Sequence, residues 1–163
     1  MLYNRRKGGR KMNILFVCTG NTCRSPMAQA LFSSIADEKG LQVTVKSAGI
    51  FASDSGKASP QAVEALFAKS IPLNHSSSKL TEELLHEADY VFTMTIQHKQ
   101  LIVEQYAHVK DKVFTLKEFA TGSEGDVSDP FGGSLSIYQE TRDELETLLY
   151  QLAKKLKQDH KSS

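Results

Sequence analysis

The sequence predicts an α/β fold of one domain, a parallel sheet carrying helices on both faces. Three observations point to it. Strand-like runs alternate with helical patterns along the chain, 163 residues suit a single domain with a substantial core, and neither an internal repeat nor a linker interrupts the order.

The elements follow in sequence. Asn13 to Cys18 is apolar after its first residue and reads as a buried strand. Pro26 to Lys39 has helical spacing, with Met27, Ala28, Leu31, Phe32 and Ile35 on the inner face and Gly40 as its stop. Val43 to Ala48 alternates as a second strand, closed by Gly49. Ser59 caps a helix that begins with Pro60 and runs through Val63, Leu66 and Phe67 to about Lys69. Thr81 caps a short helix over Glu82, Glu83, Leu84 and Leu85; Tyr90 to Met94 is a third strand, and Gln97 to Tyr106 a helix. Val113 to Thr115 supplies a fourth, short strand. Thr121 to Ser134, rich in Gly, Ser and Asp, is a long loop. Ile137 to about Gln158 is a final amphipathic helix carried by Tyr138, Leu145, Leu148, Leu149, Leu152 and Leu156.

Charge is nearly balanced, 20 basic residues against 19 acidic, but Met1 to Lys11 holds five of the basic residues and no acid. The remainder is mildly acidic, which argues against a nucleic-acid-binding face. No apolar run is long enough for a membrane span, and the leader lacks the apolar core of a signal peptide. The expectation is a soluble, cytoplasmic monomer with no nucleic-acid or membrane partner. It has a disordered leader at 1–11, a folded domain at 12–158 and a tail at 159–163.

The chemistry is concentrated in Cys18-Thr19-Gly20-Asn21-Thr22-Cys23-Arg24-Ser25, between the first strand and the first helix. A cysteine ending a strand, five residues and an arginine at a helix start form the layout of a thiol nucleophile in a phosphate cradle. Backbone N–H groups and the helix terminus bind a dianion, Arg24 grips two of its oxygens, and the same positive field favours the thiolate. Packing is the ordinary role of a free cysteine, and two cysteines with four residues between them can also suggest a metal. The nearest histidine in sequence is His75, and neither Gly-x-x-x-x-Gly-Lys-Ser/Thr nor Gly-x-Gly-x-x-Gly occurs, so metal and nucleotide readings lack support. Ligands of such sheets bind beyond the C-terminal ends of the strands, where Cys18 lies. The long loop offers Asp126-Val127-Ser128-Asp129-Pro130-Phe131-Gly132-Gly133, in which Asp129 precedes a stiff proline. Asp-Pro alone is most often a turn or a cap; beside a cysteine cradle it can supply the acid that a leaving group needs.

Cys-x-Gly-Asn-x-Cys-Arg-Ser-Pro, Ser47-Ala48-Gly49 after the second strand and Asp-x-x-Asp-Pro in the last third together resemble the low-molecular-weight protein tyrosine phosphatases. The resemblance runs from about Asn13 to Lys157. It implies a doubly wound, four-stranded parallel sheet, no metal or other cofactor, and a cysteinyl-phosphate intermediate. It makes Cys18 the nucleophile, Arg24 the phosphoryl ligand and Asp129 the general acid that later activates water. It puts Thr19, Gly20, Asn21, Thr22, Cys23, Ser25 and Phe131 around the substrate. Asn21, Ser25, Ser47 and His75 match the hydrogen-bonded group that holds the loop and thiolate. Within the family the chain is more similar to the bacterial protein arginine phosphatases. That branch carries threonine where phosphotyrosine enzymes usually carry a bulky aliphatic residue, as Thr22 does here, and Asp129-Pro130-Phe131 replaces Asp-Pro-Tyr. Arginine-phosphorylated proteins are then the expected substrates.

Other readings are a tyrosine phosphatase, an arsenate reductase of the same fold, an inactive phosphate-binding module and a redox sensor. The reductase relay needs cysteines outside the loop, and the chain has only Cys18 and Cys23. Nucleophile, arginine and acid are all present, which disfavours an inactive module. Cys23 is also the candidate partner of Cys18 in a regulatory disulfide.

Overall fold

The computed structural model describes residues 11–54 and 56–162, with side chains through Asp159. The expected leader lies outside the described residues except for Lys11. Four strands, β1 (Met12–Cys18), β2 (Val43–Gly49), β3 (Tyr90–Thr93) and β4 (Val113–Thr115), form one sheet in the order β2-β1-β3-β4. Every pairing is parallel; Cys18 stands opposite Gly49 and Val17 opposite Thr93. The order reverses between β1 and β3, so the crevice at the ends of these strands opens immediately beyond Cys18.

Alternation along β1 divides the core. Ile14, Phe16 and Cys18 face one layer with Phe92, joined by Met27, Leu31, Phe32 and Ile35 of helix α1 (Arg24–Lys39). Leu149, Leu152 and Leu156 of the last helix complete it. Leu15 and Val17 face the other layer with Val91 and Val113, against Leu85 of α3 (Glu82–Glu87) and Ile102 of α4 (Ile96–Gln105). Each fully buried Leu or Phe here is worth roughly 1.5–3 kcal/mol of transfer free energy.

Several boundaries differ from the sequence expectation for physical reasons. Helix α1 begins at Arg24 rather than Pro26, because a proline in the first turn lacks only an N–H that no helical carbonyl would have met. In α2 (Pro60–Phe67) Ser59 caps as expected, accepting from the Ala62 N–H. There the buried residues are Ala62, Ala65 and Leu66, whereas Phe67 is 74% exposed; small side chains let α2 pack against the last helix. A helix not foreseen, α5 (Leu116–Thr121), follows β4 directly. Its capping box pairs Thr115 with Glu118, and Gly122 ends it at φ 81°. A 3₁₀ segment over Ala107–Lys112 was also unforeseen. Helix α6 (Leu135–Ser162) starts two residues early, with Ser134 Oγ accepting from the Ile137 N–H at 3.4 Å. It also continues to Ser162, into the residues expected as a tail. Among the described residues no helix is long and apolar enough to cross a membrane.

Candidate active site

The loop from Cys18 to Cys23 wraps from the end of β1 into the N-terminus of α1. No side chain caps that helix; Cys23 stands at its N-cap without a capping bond, so the first-turn N–H groups have no side-chain acceptor. The positive helix end therefore faces the loop. Asn21 takes the left-handed conformation, φ 56°, which asparagine tolerates better than most residues.

Asn21 is fully buried and every polar atom of its side chain is used. Its Nδ2 donates to Ser25 Oγ at 2.8 Å and to Ser47 Oγ at 3.0 Å. Its Oδ1 accepts from the Ser78 N–H at 2.9 Å and faces His75 Nε2 at 3.1 Å. His75 Nε2 also lies 2.9 Å from the Asn21 carbonyl, which accepts from the Ser77 hydroxyl at 3.1 Å. Both partners of Nε2 are acceptors, so Nε2 carries the proton; burial lowers the His75 pKa and keeps the ring neutral. Ser47 passes the chain outward by donating to Gln29 Oε1 at 2.6 Å.

This network converges on the thiol. The Asn21 backbone N–H donates to Cys18 Sγ at 3.3 Å, and the Ser25 hydroxyl lies 2.9 Å from the same sulfur. Ser25 Oγ already accepts from Asn21, so its own hydrogen is free to point at the sulfur. Gly49 closes the support from β2. A Cβ there would stand 2.7 Å from the Thr19 carbonyl oxygen and 2.8 Å from the Asn21 nitrogen.

Arg24 is 5% exposed and comes from the first turn of α1. Its Nη1 donates to the Val127 carbonyl at 3.1 Å, and its Nη2 stands 3.6 Å from Asp129 Oδ2. The loop carrying Asp129 is pinned beside the cradle. Asp126 Oδ1 accepts from the Ile96 N–H at 2.8 Å, and the Val127 N–H donates to the Met94 carbonyl at 2.8 Å. Asp129 Oδ1 accepts from the Phe131 N–H at 3.0 Å, which leaves Oδ2 toward Arg24. Asp129 is itself 57% exposed, open to the solvent side of the cleft.

A cavity of about 230 Å³ lies between these groups. Cys18, Thr19, Gly20 and Thr22 line one part of it, and Cys23, Arg24, Asp129 and Phe131 the rest. Phe131 is 77% exposed at the rim. The side chains of Asn21 and Ser25, expected both around the substrate and in the group that holds the loop, take the supporting positions. They do not line the cavity, and they bond the loop from behind. A larger cavity, about 520 Å³ between α4, β4 and α5, is lined by no cysteine or arginine.

Sequence reasoning missed four supports. Tyr138 OH lies 3.3 Å from Cys23 Sγ, and both burial and that contact raise the tyrosine pKa. Gln29 extends the Ser47 chain, and the Ser59 N–H donates to the Thr22 carbonyl at 3.0 Å. His98, buried on α4, meets Thr19 Oγ1 at 2.8 Å. Tyr138 stood in the sequence only as a helix-face residue and His98 as one histidine among five. Nothing local marks either as a partner of a loop about 80 or more residues away.

Residues 13–162 match the family model described as low molecular weight phosphotyrosine protein phosphatase. The chain is 67% identical over 150 residues to a protein-arginine-phosphatase of Bacillus subtilis (strain 168), covering 92% of this chain and all of that one. It is 52% identical to a protein-arginine-phosphatase of Geobacillus stearothermophilus, covering 88% and 95%. Among solved structures it superposes with a TM-score of 0.90 on a YwlE arginine phosphatase variant with serine in place of cysteine, described as carrying a phosphorylated active-site serine. That match is 66% identical and covers 93% of this chain and all of the other. With the family model covering nearly the whole chain, and with cradle, sheet order and acid loop in one cleft, the protein belongs to the low molecular weight phosphotyrosine protein phosphatase family.

Proposed function

We propose that the protein is a protein arginine phosphatase, hydrolysing phosphoarginine in protein substrates through a cysteinyl-phosphate intermediate. The observation that carries this reading is the joint lining of one cavity by Cys18, Arg24, Asp129 and Thr22. The two relatives reported above bear on the substrate: both carry the arginine-phosphatase name.

The sulfur of Cys18 attacks phosphorus, forming an S–P bond as the P–N bond to the guanidino nitrogen breaks. Arg24 and the loop N–H groups hold the three phosphoryl oxygens. A guanidine is a very strong base, so its nitrogen leaves only if protonated as the bond breaks. Asp129 donates that proton. Its carboxylate then takes a proton from water, whose oxygen bonds phosphorus as the S–P bond breaks, releasing inorganic phosphate and restoring the thiolate. Thr22 keeps the wall narrow and polar, and Phe131 at the rim can lie against a planar cation.

The same sulfur is a target for oxidation. Peroxide converts it to a sulfenic acid, and attack by the Cys23 thiol forms an S–S bond and releases water, arresting the enzyme until a thiol reductant restores both cysteines. Both are free thiols here.

The deciding experiment is the ratio of kcat/KM on matched phosphoarginine and phosphotyrosine peptides. A ratio well above one supports the arginine reading. A ratio below one replaces it with a tyrosine phosphatase, the family's named activity.

A further inference from the structure

His98 is a buried imidazole that no step of the proposed reaction uses. It sits in the first turn of α4, 5% exposed, with its backbone N–H donating to the Thr95 hydroxyl at 3.1 Å. Its Nε2 lies 2.8 Å from Thr19 Oγ1, and its Nδ1 is buried without a hydrogen-bond partner. Burial, and then the charge of Arg24, push its pKa down to about 4 against the opposing pull of Asp126 and Asp129, so the ring carries a single N–H at neutral pH.

Two tautomers are available. With the proton on Nδ1, Thr19 donates to Nε2 and a buried N–H is left unpaired. With the proton on Nε2, the ring donates to Thr19 Oγ1 and only a lone pair goes unmet. Orphaned buried N–H groups are the rarer of the two, which selects the Nε2–H form. The Thr19 oxygen then accepts from His98, and the hydroxyl hydrogen remains to be given elsewhere. Thr19 lines the cavity together with Cys18 and Arg24.

We propose that His98 is a positioning residue, which fixes the Thr19 hydroxyl as a donor to the anion held in the Cys18 pocket. The proposal rests on the phosphatase reading above. It assigns the two histidines different tasks. His75 braces the loop backbone at Asn21, whereas His98 reaches from α4 to a side chain on the cavity wall.

The test measures the Kd of inorganic phosphate by calorimetry, and kcat and KM on a phosphoarginine peptide, for wild type and four variants. These are Thr19→Val, His98→Leu, His98→Gln and the Thr19→Val/His98→Leu double variant, with thermal melts reporting folding. Thr19→Val and His98→Leu are each expected to weaken phosphate binding about tenfold, the scale of one hydrogen bond to a charged group. His98→Gln, whose amide can donate to the same oxygen, should recover most of that loss. The double variant should be no weaker than Thr19→Val, since the two residues act through one hydroxyl. Unchanged phosphate binding in Thr19→Val overturns the proposal whether or not His98→Leu folds, as do losses that multiply in the double variant. A wild type that binds phosphate but does not hydrolyse the peptide refutes the arginine phosphatase reading instead, because the binding arm needs no turnover.

Discussion

Arg24 holds the Val127 carbonyl with one guanidinium nitrogen, at 3.1 Å, while the other stands 3.6 Å from Asp129. In the proposed mechanism, the residue that grips the phosphoryl group thus also fixes the loop that delivers the acid. Binding and proton transfer share one side chain, but the sulfur and the carboxylate remain separable by substitution.

Cys18→Ala should abolish turnover while leaving phosphate affinity largely intact, because the anion is held by backbone N–H groups, Arg24 and the Thr19 hydroxyl rather than by the sulfur. Asp129→Ala should lower kcat by roughly 10²-fold or more on a poor leaving group. Single-turnover phosphate release with parallel phosphate binding measures both. Full activity in either variant would remove the mechanism.

Thr22→Ile adds apolar bulk to the cavity wall and deletes a hydroxyl. The expected outcome is a shift of preference from phosphoarginine toward phosphotyrosine, read as the ratio of kcat/KM on matched peptides. An unchanged ratio would leave a phosphatase whose selectivity does not lie at Thr22.

Gly49→Ala places a Cβ 2.7 Å from the Thr19 carbonyl and 2.8 Å from the Asn21 nitrogen, both backbone atoms with little room to retreat. Overpacking of this kind costs about 1–3 kcal/mol. The loop must shift, so phosphate binding should fall more than tenfold at a modest loss of Tm. Wild-type phosphate affinity in this variant would show that the strand and loop can part without consequence.

Mild peroxide should inactivate the enzyme reversibly by linking Cys18 to Cys23. Cys23 must first leave Tyr138, 3.3 Å away, so Tyr138→Phe should speed disulfide formation. In Cys23→Ser, recovery after stronger oxidant should fall for want of a resolving thiol. Peptide mapping of the inactivated protein decides; unlinked cysteines, or equal recovery in Cys23→Ser, would exclude the switch.

The His98 pKa, lowered to about 4 by burial and Arg24, also makes a statement about stability. The neutral ring is favoured in the fold. As pH falls below about 6.5 the unfolded chain takes up a proton that the folded chain refuses, and stability declines until pH approaches 4. Burial lowers the His75 pKa in the same direction. Wild type should therefore lose about 4 °C or more of Tm across that window, and His98→Gln distinctly less. Parallel pH profiles for the two proteins would contradict the assignment.

Much of this was legible from short-range pattern. β1 was legible as an apolar run, α2 from Ser59-Pro60, and the cradle from eight consecutive residues. The missed α5 was written in Thr115-Leu116-Lys117-Glu118, a capping box hidden by its nearness to a three-residue strand. Which way the Asn21 and Ser25 side chains turn depends on the loop's direction of curvature, which cannot be read from sequence; the left-handed turn at Asn21 sends its side chain behind the loop. His98 and Tyr138 depend on how α4 and α6 dock, and no local signal encodes that.

The two hydrogen bonds to the thiol itself span separations of only 3 and 7 residues, whereas Arg24 meets Val127 across 103 and Cys23 meets Tyr138 across 115. Closing the longer loops carries the greater entropic cost, so the two halves of the cleft differ in how readily they assemble. A partial opening that parts Val127 from Arg24 would separate the acid loop from the anion cradle on β1 and α1. Such a species would still capture phosphate yet turn nothing over, and the anion would act as a template on which the remaining chain closes.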